Sequence, residues 1–197
     1  MRRLILWLLM PLFLVACTAD KVMAPDAEVQ RAVYSTGLPP TISLYTMINN
    51  RSGEGGHAAL LIDASQRVLF DPAGTWYNRA APEQYDVHFG MTPRMVEIYN
   101  DYHARETYHI VIQTFSVTPE VAEQALRAVR ANGSVGKARC ASAISAILRG
   151  LPGFETTRAT FYPRKLMLNL AEKPGVTTRK IFDTDADNNR AKLAEAN

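Results

Sequence analysis

Cysteine is nearly missing from this chain of 197 residues: only Cys17 and Cys140 occur. Neither belongs to a Cys-x-x-Cys pair and no His-x-x-x-His spacing exists, so the sequence holds no metal-ligand motif. Asp183, Asp185 and Asp187 imitate the first half of a calcium loop. No glycine stands at its sixth position and no glutamate closes it at the twelfth, which rejects the likeness. Also missing are a phosphate-cradling glycine motif, a serine-hydrolase elbow and any interleaving of basic with aromatic residues. No metal, no cofactor and no nucleic acid is therefore expected. A charge excess is lacking too: 22 Lys and Arg against 19 Asp and Glu give a net charge of +3. That balance favours neither a nucleic-acid partner nor a polybasic membrane surface.

What is present begins at the N-terminus. Arg2 and Arg3 precede an apolar run, Leu4 to Val15, interrupted only by Pro11. The run is too short for a stable membrane span and reads as a signal peptide over residues 1–16. Leu14-Val15-Ala16-Cys17 resembles the lipobox of bacterial lipoproteins. The resemblance implies cleavage before Cys17 and acylation of its sulfur, hence a membrane partner through lipid. Thr18 rather than aspartate follows Cys17, which in that family favours the outer over the inner membrane. Several acyl chains on one cysteine anchor stably, since each buried methylene contributes about 0.8 kcal/mol. Cys140 is then left as a lone thiol in an oxidising compartment, either buried and inert or reactive.

The expected organisation is a lipidated tether over 17–40, one domain over 41–182 and a frayed polar tail over 183–197. A short helix is expected near Asp26 to Val33. Thr41 to Ile48 and Tyr108 to Val117 read as strands. Ala58 to Ile62 and Val68 to Phe70 are short, wholly apolar runs bounded by turn residues, which fit a pair of buried strands. His57 heads the first and Asp71 ends the second. Thr75 to Gly90 reads as irregular; its Trp76, Tyr77 and His88 are candidates for a substrate groove, or else belong to a packed cover loop. Thr92-Pro93 and Thr118-Pro119 are N-cap-plus-proline signals for two helices. A third helix is expected over Ala138 to Arg149 with Cys140 in its first turn, and a fourth over Phe161 to Glu172. Val176 to Phe182 reads as a last strand.

These residues suggest a split thiol site. First-turn amides and the helix dipole stabilise a thiolate at Cys140, and Lys137 and Arg139 would add to this. A thiol nucleophile needs a base, and the base needs a third group to fix its tautomer. His57 is the natural base and Asp71 the natural orienter, although an aspartate before Pro72 also suits a turn cap. His109 ranks second as a base. His103, in the charged stretch Asp101-Tyr102-His103-Ala104-Arg105, reads as solvated.

The order of a histidine heading an apolar strand (Gly56 to Ile62), a polar residue ending the next (Val68 to Asp71) and a cysteine at a helix start (Arg139 to Ser142) resembles a known family. It is that of the circularly permuted NlpC-type papain-like cysteine hydrolases, which includes YaeF/YiiX-type bacterial lipoproteins and the lecithin retinol acyltransferase relatives. The likeness covers Thr41 to Gly150. It implies an α+β fold, a small antiparallel sheet packed against helices, and a thiol hydrolase or acyltransferase working through a Cys140 acyl-enzyme. The implied substrate is a peptidoglycan peptide amide or a lipid acyl ester. The alternative is a non-catalytic envelope lipoprotein that binds a wall fragment or a protein partner.

Overall fold

The structure is a computed structural model of the chain and describes residues 22–189 and 193. The signal peptide over 1–16, the lipidation expected at Cys17 and the rest of the tail from 190 lie outside the described residues, save for Leu193.

The strand pair read from the two apolar runs is the centre of a larger sheet. β1 (Thr41–Asn49), β2 (Gly55–Asp63) and β3 (Arg67–Phe70) follow one another in the chain. β4 (Glu83–Gln84) and β5 (Val87–Phe89) come next, and β6 (Tyr108–Ser116) and β7 (Thr177–Ile181) complete a seven-stranded sheet in the order β4-β5-β3-β2-β1-β6-β7. Every neighbouring pair is antiparallel. Five helices accompany it: α1 (Asp26–Arg31), α2 (Pro93–His103), α3 (Pro119–Asn132), α4 (Cys140–Arg149) and α5 (Pro163–Ala171). The chain is thus α+β, and the sheet is larger than the small one expected.

The apolar runs have no polar alternation because both sheet faces are covered. Ala58, Leu60 and Ile62 of β2 join Leu126 of α3, Ile144 of α4 and Leu166 of α5 in one core. Ala59 and Leu61, on the opposite parity, join Trp76 and Tyr99 in a second core. The threonine caps form as expected: Thr92 accepts from the Met95 amide at 3.2 Å and Thr118 from the Val121 amide at 3.4 Å.

Three expectations need correcting. The stretch 75–90 is not wholly irregular, because β4 and β5 form a tight hairpin there. Its two turn residues, Tyr85 and Asp86, both have positive φ, 52° and 66°, a turn usually built with Asn-Gly. The expected tether is part of the body from residue 22: Met23 bridges Gln84, the Ala24 amide donates to the Glu83 carbonyl at 2.8 Å, and Val29 is buried. The tail is held at least to residue 189, where Asn189 Nδ2 donates to the Tyr102 carbonyl at 2.5 Å. Asp185 pairs with the buried Arg105 at 3.0 Å.

Candidate active site

β1 and β2 run in register until Met47 faces His57; the next pairing is Ile48 with Gly55, so Gly56 is the extra residue of a β-bulge. A Cβ on Gly56 would come within 2.8 Å of the Tyr108 ring, so glycine leaves room for that side chain. His57 shares the parity of Ala59 and Leu61 and so faces the second core. β2 and β3 pair Leu60 with Phe70. One more step of that register sets Asp71 opposite Ala59, diagonal to His57 and on its face.

His57 Nε2 lies 2.5 Å from Asp71 Oδ1. Tyr99 of α2 donates its hydroxyl to the same oxygen at 2.9 Å. The Asp71 backbone carbonyl also closes the following turn by accepting the Gly74 amide at 2.9 Å. The side chain thus serves the histidine and Tyr99, while the turn is closed by the backbone alone rather than by a side-chain cap. Asp71 Oδ2 is buried without a partner, and a Cβ on Gly74 would sit 1.9 Å from it.

Cys140 is the first residue of α4 and is buried. Burial pushes its pKa up, but hydrogen bonding to His57 and the backbone amides of Ala58 and Ala141 outweigh this and leave the thiol below its ordinary value. Lys137 and Arg139 are exposed and are not among these causes. With Nε2 committed to Asp71, Nδ1 is the His57 nitrogen left for the thiol. Burial alone would depress His57, but the Asp71 carboxylate and its hydrogen bond reverse that and raise the imidazole to about 10. Asp71 moves the opposite way. Burial would raise it, and the adjacent His57 charge holds it well below the usual carboxylate range. The site thus favours an imidazolium between a carboxylate and a thiol already biased toward thiolate.

A second histidine stands beside the first, contrary to the solvated position expected for it. The His103 ring stacks on His57 with centroids 6.0 Å apart and planes 15° apart. Its Nδ1 is 2.9 Å from the Tyr99 carbonyl oxygen. A carbonyl only accepts, so Nδ1 carries the proton and Nε2 the lone pair. Burial, aided by the His57 charge and opposed by Asp71, lowers His103 to about 4. Two neighbouring imidazoles are thereby driven apart, one charged and one neutral. His103 lies four residues after Tyr99 on α2, so the two share one helix face, but only the docking of α2 brings that face to the site.

A cleft beside His57 is lined by Met47, Gly56, Ala73, Thr75, Tyr102, His103 and Tyr108 among others. None of the three expected groove residues lines it. Trp76 is 3% exposed and packs edge-on against Tyr99 and His88, with centroids 5.3 and 4.9 Å away. His88 is buried, and burial lowers its pKa. Tyr77 is exposed and borders a different hollow with Val22, Met23 and Arg79. The stretch acts as a packed cover behind Asp71. His109 is elsewhere as well: its Nδ1 meets Asn50 Oδ1 at 2.7 Å and its ring stacks on Phe182.

Asp86 is a further contributor that the sequence did not single out. Its Oδ2 accepts the amides of Ala73 and Val135, each at 3.0 Å, and its carbonyl accepts the Asp71 amide at 2.8 Å. It thereby ties the turn after Asp71 to the loop that leads into Cys140. Ala73 and Ala138, on those two segments, hold positive φ of 60° and 61°, backbone strain of the kind found around functional sites.

Two things follow for classification. The arrangement is of the thiol–imidazole–carboxylate class, carried on an α+β scaffold. Compared with family models, curated proteins and solved structures, the chain matches none.

Proposed function

We propose that this protein is an envelope-anchored thiol hydrolase or acyltransferase that works through an acyl-enzyme on Cys140. The observation that carries the reading is His57 held 2.5 Å from Asp71 beside a Cys140 thiol that starts a helix and whose pKa is lowered by His57. The Cys140 thiolate attacks the substrate carbonyl carbon, and a C–S bond forms as the carbonyl electrons move to oxygen. First-turn amides of α4, which have no acceptor within the helix, are donors available to that oxyanion. As the tetrahedral species collapses, His57 gives its proton to the departing amine or alcohol. Water or a second acceptor then attacks the thioester. His57 takes its proton, the C–S bond breaks, and the imidazolium–thiolate pair returns.

The chain order of histidine strand, carboxylate and cysteine helix fits a permuted papain-like hydrolase. The lipobox-like segment fits a bacterial lipoprotein held by Cys17 at the periplasmic face, in the outer rather than the inner membrane. Peptidoglycan peptide amides and lipid acyl esters are the two substrate classes such a place offers.

The test is the rate of Cys140 alkylation by iodoacetamide on the chain lacking residues 1–17. Labelling at neutral pH is expected to exceed that of a free thiol, whose pKa is about 8.5, and to fall in His57→Ala. Labelling no faster than a free thiol, and indifferent to His57→Ala, would leave the protein as a non-catalytic binder of a wall fragment or partner.

A further inference from the structure

The His103 side chain has no part in the acyl-enzyme scheme, yet it is held with care. Donor atoms of His57, Asp71 and His103 all lie within 4.8 Å of one another. Two of the three are oriented from behind. The Tyr99 carbonyl fixes the His103 tautomer so that Nε2 offers its lone pair. The Tyr99 hydroxyl holds Asp71 Oδ1. The second carboxylate oxygen is buried and without a partner, in a side chain with no solvent exposure. Metal-binding imidazoles are characteristically oriented through the other ring nitrogen by a carbonyl or carboxylate, and ligating carboxylates are themselves hydrogen-bonded. Access exists, because His57 and His103 both line the open cleft.

We propose that His57, Asp71 and His103 form a binding site for a borderline divalent cation of the zinc type, and that the cation switches the thiol site off. Two imidazoles and one carboxylate are a donor set that zinc accepts, with bonds of about 2.0–2.2 Å, leaving a fourth position for water from the cleft. At a tetrahedral angle bonds of that length set donors about 3.3–3.6 Å apart, so His57 Nε2 and Asp71 Oδ1, now 2.5 Å apart, open by about an ångström, while His103 draws in from within 4.8 Å. The cation takes the place of the proton shared by His57 Nε2 and Asp71 Oδ1; that proton goes to solvent, and no electron is transferred. His57 is then a neutral imidazole with Nε2 on the cation and its one proton on Nδ1, so it cannot take the proton of the Cys140 thiol and no longer offers an imidazolium to the thiolate. The cation site itself stands without the acyl-enzyme reading; only its consequence for catalysis rests on it.

The experiment uses the full chain in detergent with Zn2+ alone and, separately, Co2+ as a spectroscopic substitute. One Zn2+ per chain is expected by titration against a chromophoric chelator. Affinity falls at least about tenfold in His103→Phe, which keeps a ring in place, and persists in Cys140→Ser. Stoichiometric Zn2+ slows Cys140 alkylation at least about tenfold in the native chain, and this slowing disappears in His103→Phe. The Co2+ spectrum of the native chain shows ligand-field bands with no thiolate-to-cobalt charge transfer. Absence of stoichiometric zinc binding overturns the site, as does binding lost in Cys140→Ser, or a charge-transfer band. Slow alkylation of the metal-free native chain, by contrast, counts against the proposed function and leaves the cation site standing.

Discussion

At the scale of single residues, the charge state of the site is set by one contact, His57 with Asp71, and its stability has a pH signature. The folded-state pKa of His57 is raised to about 10, against about 6.5 for an unperturbed imidazole. Its contribution to stability is therefore fully present below about pH 6.5 and is lost as pH rises through about 10. Asp71 is lowered, so its contribution is present above about pH 3.9 and is lost as pH falls through its native value. Urea midpoints of the native chain and of His57→Gln are expected to differ most between pH 4 and 6.5 and to converge toward pH 10. A gap that widens with rising pH would sink the ion-pair assignment. Gly74 gives a second residue-scale prediction. A Cβ there lies 1.9 Å from Asp71 Oδ2, so the buried carboxylate or the turn must shift. Gly74→Ala is expected to cost about 1–3 kcal/mol, the usual range for overpacking a filled interior, and to slow Cys140 alkylation by displacing Asp71 from His57. Unchanged labelling with lowered stability would mean that the loop, not the carboxylate, gives way.

Elements explain which parts of the site were legible. His57, Asp71 and Cys140 stand at the ends of elements marked by turn and cap chemistry, and such ends can be read from local sequence. His103 could not be placed that way: its neighbours Asp101 and Arg105 suggest a solvated helix end. Only the docking of α2 on the second-core face turns it toward His57, with Tyr99 packed against Tyr45 at 6.0 Å. In the same way the β4–β5 hairpin is hidden because Tyr85-Asp86 does not look like a two-residue turn. Trp76 and His88 looked available only because that loop looked unpaired. α2 therefore has a role that α3 lacks, and two equivalent caps separate them. Thr92→Ala and Thr118→Ala each remove an N-cap acceptor, worth typically about 1 kcal/mol. Both are expected to lower the thermal midpoint to a similar degree. Only Thr92→Ala should also slow alkylation, since α2 carries Tyr99 and His103. Equal alkylation in the two variants would show that α2 does not help hold the site.

At the scale of the whole molecule, chain that was expected to be loose pairs with one edge of the sheet and packs against α2. On one side residues 22–24 run along β4, and Gln84 Nε2 donates to the Ala24 carbonyl and to Asp26 Oδ1 at 2.9 and 2.8 Å. A lipid on Cys17 would thus hold that edge close to the bilayer, since the five residues up to Val22 span at most about 17 Å. Beyond β7 on the other side, residues 183–189 fold back over α2 and the start of β6. There they neutralise Arg105, which is 1% exposed and also pairs with Asp101 at 3.2 Å. They also bring Asp187 to Thr107 and Asn189 to the rim of the His57 cleft. Arg105 is the reason this polar segment stays in place: a guanidinium this deeply buried is costly unless its charge is met. Its one other carboxylate, Asp101, is itself half in solvent. Ending the chain at Phe182 removes Asp185 and leaves Asp101 against Arg105; because Asp185 is itself 55% exposed, the loss is expected to be about 1 kcal/mol. The truncated chain is expected to unfold at lower urea by that amount, and Asp185→Asn to recover part of it through its amide oxygen. A truncation that leaves stability unchanged would return residues 183–189 to the status of a passive tail.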